Sequence, residues 1–166
     1  MPKNKKKEGT PTSDDQRALL VSLYKKLVWA DALRREYGRY EARDRDFMRS
    51  GLENKAVGSF EEAFEADMYL CLWFSVLYVV IEGCPLLRLK NEKLKGLLRS
   101  PTRNLLKNFR DATFHPTDWR DERFDELVNL GKASFEWVVA VTDAFREFFE
   151  PVAQMDRAAR RRPKGE

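Results

Sequence analysis

From Met68 to Ile81 the chain carries no charged side chain, and in a helix such a stretch is apolar on every face. An element of that kind needs neighbours all round it, so the rest of the chain has to supply a shell. Ser59 and Glu62 form a capping box ahead of the run, in which hydroxyl and carboxylate satisfy the free N–H groups of a helix start. Gly83, Cys84 and Pro85 stop it after Glu82. The sequence therefore predicts a central helix running to Glu82. The uncharged run itself is too short to cross a bilayer, which needs about 20 apolar residues.

The shell is helical too. Ser13 and Gln16 open a first helix whose apolar positions, Leu19, Leu20, Leu23, Leu27, Ala30, Leu33, Tyr37 and Tyr40, recur at three and four as far as about Arg49. A short helix is expected over Asn91 to Arg99. Ser100 then supplies an N-cap with Pro101 at the first helical position, and the next helix runs to His115 and Pro116. A last long helix is expected from near Asp121, with Phe124, Leu127, Val128, Phe135, Val138, Val141, Phe145, Phe148 and Phe149 inward, ending at Pro151. No strand-like alternation of useful length interrupts this pattern. The expected fold is all-α, an up-and-down bundle of four to five helices, as a single domain over residues 13–151 between basic tails at 1–12 and 152–166.

The net charge of +4 resides in those ends. Lysines at 3, 5, 6 and 7 and arginines at 157, 160, 161 and 162 outweigh the acids near them and leave the body slightly acidic. A nucleic-acid surface in the body would have to be a local patch. Cys71 and Cys84 form no metal-type spacing and read as buried thiols. A secretory signal is absent from the first residues, and a cytoplasmic protein without membrane attachment is expected.

With one histidine in 166 residues the chain holds no paired-histidine metal motif. Neither GxxxxGK[ST], GxGxxG nor GxSxG occurs. No metal or cofactor is expected. What remains is the helix ending at His115. At about 100° per residue, Leu105, Phe109 and Ala112 form its core stripe, with Leu106 and Thr113 beside them. Arg103, Lys107 and Arg110 follow on one flank, and Asn104, Asn108, Asp111 and His115 on the other. Guanidinium binds phosphate through two parallel hydrogen bonds, and imidazole, with an ordinary pKa of about 6.5, exchanges a proton near neutrality. Asp111, one turn before His115, is positioned to orient it. Read from spacing alone, the same flanks describe a solvated helix face more readily than a site.

The string from Leu105 to Pro116, LLKNFRDATFHP, resembles the RxxxxH motif of HEPN-domain proteins at Arg110, Asp111 and His115. The resemblance implies a small helical bundle and, as in many of that family, a metal-independent endoribonuclease acting as a toxin or in anti-phage defence. It implies a homodimer with two motifs across a cleft, RNA as substrate and a cognate antitoxin as a potential partner. In that reaction His115 is general acid or base for attack by the RNA 2′-hydroxyl, and Arg110 neutralises the phosphate, leaving a 2′,3′-cyclic phosphate. Asp111 stands where the family commonly has asparagine. Arg103 and Lys107 are expected to hold RNA, and Asn108 and Glu82 to support the site. Glu82, disfavoured by the dipole at a helix end, either pairs with Arg110 or His115 or is solvated. Phe114, on the polar side, is either a dimer contact or packs near Trp119. The alternative function is a HEPN-like module that binds RNA, nucleotides or protein without turnover.

Overall fold

A computed structural model describes residues 13–49, 60–87, 91–114 and 132–161. They form helices α1 (Ser13–Arg49), α2 (Phe60–Gly83), α3 (Glu92–Leu97), α4 (Thr102–Phe114) and α5 (Lys132–Arg161), with a 3-10 turn at Cys84–Leu87 after α2. The protein is an all-α helical bundle, and no strand occurs among the described residues.

Local chemistry accounts for the helix starts. The Asn91 side-chain oxygen accepts the Leu94 N–H at 2.9 Å and caps α3. Ser100 Oγ accepts the Thr102 N–H at 3.3 Å, the expected cap ahead of Pro101. Where the side chains go is settled by packing. Trp73, Phe74, Leu77, Val80 and Ile81 of α2 are buried against Leu23 and Leu27 of α1, Leu94 of α3, Leu106 and Phe109 of α4, and Val138, Val141 and Phe145 of α5. Aromatic edges join the layers. Phe74 meets Phe109 at 5.9 Å between centroids, and Trp73 meets Phe135 at 5.8 Å and 85°.

Pairings along the helices give their directions. Tyr40 faces Tyr69 and Tyr37 faces Trp73, so α1 and α2 are antiparallel. Cys71 against Thr113, Phe74 against Phe109 and Cys84 near Arg103 run α4 antiparallel to α2. Tyr24 against Phe149 and Asp31 against Arg146 run α5 antiparallel to α1. The result is up, down, up, down. At the α1–α2 crossing a side chain on Gly83 would meet Leu23 Cδ2 at 2.5 Å, so the missing Cβ is what lets the helices close there. Arg146 clamps the opposite seam, donating to both carboxylate oxygens of Asp31 at 2.7 and 2.9 Å and to Asp143 at 2.8 Å.

Three expectations change. α2 within Phe64–Leu87 is, by length and composition alone, long and apolar enough to cross a membrane once Glu82 is tolerated, although half its faces are packed in the core. Cys71 is half-buried rather than buried, while Cys84 is buried. Finally, Pro151 does not end α5, which continues to Arg161. Pro151 removes a hydrogen bond from the helix interior, but beyond it Ala153 is buried, Val152 packs on the core, and Arg157 reaches back to Glu150 at 2.5 Å. That packing carries the helix through the defect. The expected start of this helix near Asp121, with Phe124, Leu127 and Val128, lies outside the described residues.

Pro151 is exposed. An interior proline costs about 3 kcal/mol relative to alanine, offset by roughly 1 kcal/mol because it also restricts the unfolded chain. Pro151→Ala is therefore expected to stabilise the protein by about 2 kcal/mol, read as a higher urea midpoint at unchanged slope. A lower midpoint would show that the ring is needed where it stands.

Burial raises the thiols from an ordinary 9.0 to about 11 for Cys71 and about 12 for Cys84. Because the folded state holds these protons more tightly than the unfolded chain, the stability they contribute is complete below pH 9 and declines as pH rises through 11 to 12. Alkaline titration of the denaturation midpoint should show that decline, and replacing both cysteines with alanine should flatten it.

Candidate functional site at the end of helix α4

α4 is amphipathic, with Leu106, Phe109 and Ala112 buried. The stripe is centred on Leu106, with Leu105 partly buried at its edge. That rotation carries Arg110 towards α2. Its Nη1 donates to Glu82 at 3.1 Å, its Nε donates to Asp111 Oδ1 at 2.9 Å, and its Nη2 lies 2.7 Å from the same oxygen. The guanidinium carbon stands 5.0 Å from the centroid of the Tyr78 ring. A cation over an aromatic face with carboxylates at its edges has few ways to turn. Its side chain is 24% exposed, enough for solvent or a ligand to reach it.

Of the residues singled out from the sequence, the structure brings Arg110, Asp111 and Glu82 together. Arg103 and Asn108 are half-buried and Lys107 is exposed along the same helix. No carboxylate among the described residues pairs with Arg103 or Lys107. His115 lies outside the described residues, as does Trp119. Phe114 is 51% exposed, and with Phe64 and Met68, at 57% and 45%, it lies towards the end of the antiparallel α2–α4 pair remote from Glu82. Tyr78 was not anticipated. It precedes Glu82 by one helical turn, and that spacing would have named it had the register of α2 against α4 been readable.

The chemistry available is that of a held cation beside two carboxylates. Glu82 and Asp111 together outweigh the Arg110 charge, so an incoming phosphate has to displace at least one of them. Among the described residues, no cluster of three His, Cys, Asp or Glu side chains has the arrangement of a metal site. A separate groove of about 640 Å³ opens between α1 and the last turns of α5, floored by Leu20, Tyr24 and Val152 with Trp29 and Met155 exposed at its rim. Its polar groups, Arg17, Lys25, Asp156 and Arg157, form no set suited to proton or phosphoryl transfer. Compared with family models, with curated proteins and with solved structures, the chain finds no match in any of the three.

Proposed function

We propose that the protein is a metal-independent endoribonuclease of HEPN type, working as a homodimer in the cytoplasm as a toxin or defence effector that a cognate antitoxin would restrain. The observation that carries the reading is the restraint on Arg110. In the last turns of α4, five positions before His115, its guanidinium is held by Asp111, Glu82 and the Tyr78 ring. A preoriented charge is what stabilisation of a developing phosphorane requires. The RNA 2′-oxygen attacks phosphorus and the bond to the 5′-oxygen breaks. His115 takes the proton from the 2′-hydroxyl or returns one to the departing 5′-oxygen. Arg103 and Lys107, without carboxylate partners among the described residues, track the flanking phosphates. The exposed Phe64, Met68 and Phe114 support pairing of two copies.

The test is cleavage of RNA in EDTA by wild type, His115→Ala and Arg110→Ala, with product ends identified. A 2′,3′-cyclic phosphate and a 5′-hydroxyl from wild type alone support the reading. Equal activity in all three preparations indicates a contaminant, and a chain that cleaves no RNA ends it. Glu82→Gln is expected to lower cleavage several-fold while shifting stability by no more than about 1 kcal/mol, because the carboxylate is half exposed and Asp111 still holds the arginine. Unchanged activity would remove Glu82 from the site. Light scattering at micromolar concentration should report a dimer for wild type and a monomer for Phe114→Glu.

One observation favours a second reading, a module that binds without turnover. The Arg110 charge is already answered by two carboxylates. In that case binding persists in all three proteins and no product ends form.

A further inference from the structure

A second basic feature lies at the opposite end of α4. Where α2 ends and α3 and α4 begin, a pocket of about 370 Å³ is floored by Ile81, Cys84, Pro85 and Leu98 and rimmed by Lys95, Arg99 and Arg103. Its volume falls within the roughly 300–1,000 Å³ of small-ligand sites. No acidic side chain lines it. Lys95 has a partner, Glu92, at 2.7 Å on its own helix, but that carboxylate lies on the exposed side of α3. Neither arginine forms an ion pair with a carboxylate among the described residues, although Glu92 is near enough to Arg99 for their charges to attract. The Cys84 thiol donates to the Val80 carbonyl at 3.1 Å and is held neutral, so the floor brings no negative charge against an incoming anion.

Position and composition together define what fits. Three cations at one rim over an uncharged floor suit a ligand with an anionic end and a flat apolar body. Guanidinium pairs with phosphate oxygens through two hydrogen bonds, and a planar base laid on aliphatic carbon removes apolar surface from water. Helix α3 is anchored from outside the pocket. The Trp137 Nε1 of α5 donates to the Leu97 carbonyl at 2.9 Å, and Lys93 pairs with Glu147 at 2.7 Å. Lys95 and Arg99 are thereby held over the start of α4.

We infer that this pocket binds a nucleoside phosphate, with Arg99, Arg103 and Lys95 on the phosphate and Pro85 and Leu98 beneath the base. That the natural occupant is a nucleotide of a bound RNA rests on the ribonuclease reading, whereas the binding of a nucleoside monophosphate does not. Arg103 then serves two neighbouring sites, the pocket and the basic flank that leads to Arg110.

The experiment is calorimetric titration of the full chain with adenosine 5′-monophosphate and, separately, with inorganic phosphate. The monophosphate is expected to bind more tightly than phosphate, through the floor. The double variant Arg99→Ala/Arg103→Ala should weaken it by roughly tenfold or more. Arg17→Ala/Lys25→Ala, which removes the same charge from α1 residues that do not line the pocket, should change it less than twofold. Arg99→Lys/Arg103→Lys, retaining charge without the paired donors, should fall between. Equal weakening by both alanine pairs would reduce the effect to net charge and overturn the site. So would wild-type binding no stronger for the nucleotide than for phosphate, or none for either. A chain that binds the monophosphate but cleaves no RNA keeps the pocket and loses the nuclease.

Discussion

Replacing Arg110 with alanine is expected to reduce RNA cleavage by about 10²–10³-fold, the usual cost of removing one preorganised donor from a charge-stabilising site. The fold should survive. The side chain gives up one ion pair to Glu82, one to Asp111 and one contact with Tyr78. At about 0–1 kcal/mol for each partly solvated pair and about 0.5–1 kcal/mol for the ring contact, the loss is a fraction of a domain's stability. Arg110→Lys separates charge from geometry. It keeps the cation yet cannot make parallel hydrogen bonds to one phosphate, so its activity should lie between the two. Wild-type turnover by the alanine variant, with circular dichroism unchanged, would remove the guanidinium from the chemistry.

Much of this architecture was readable from residue spacing, for a physical reason. Capping at Ser100 is local chemistry, settled within two residues of chain. The uncharged run in α2 demanded a central place and takes one from Trp73 to Ile81, with Trp73, Leu77 and Val80 at 0% exposure, whereas Met68 at its start is 45% exposed. What escaped the reading depends on distant partners. Pro151 signals a stop on local grounds, but burial of Ala153 outweighs one lost hydrogen bond. The α4 stripe is turned from Leu105 to Leu106 because α2 presses on it, and a helical wheel carries no knowledge of neighbours. The pairing of Glu82 with Arg110 was one of two options from sequence. Its selection, and the Tyr78 ring beneath, required the register between two helices.

The second large effect is in the core. Trp73→Ala should cost about 3–5 kcal/mol, a large part of the roughly 5–15 kcal/mol by which domains are stable. Trp73 is fully buried, 4.8 Å from Phe74 and 5.8 Å from Phe135 between ring centroids, with Arg34 5.6 Å from its own ring. Its removal opens the meeting point of α1, α2 and α5. Trp73→Phe tests a finer point. The indole N–H is buried without a hydrogen-bond partner among the described residues, a burden of about 1–3 kcal/mol that phenylalanine does not carry. Phenylalanine should therefore recover most of the loss. Urea midpoints decide it: equal losses in the two variants would mean that the indole N–H carries no such burden.

The antiparallel seating of α5 on α1 has a consequence for how the molecule meets other molecules. Ser13 and Arg161 come to the same end of the bundle, and the chain beyond each is rich in lysine or arginine. Arg99 and Arg103, at the α3–α4 junction, face that end too. A weakly acidic bundle whose two basic end segments both leave from one pole, where Arg99 and Arg103 also stand, has a dipole moment along its axis. In the field of a polyanion it turns before it touches, arriving end-on, and added salt slows that arrival by screening the torque.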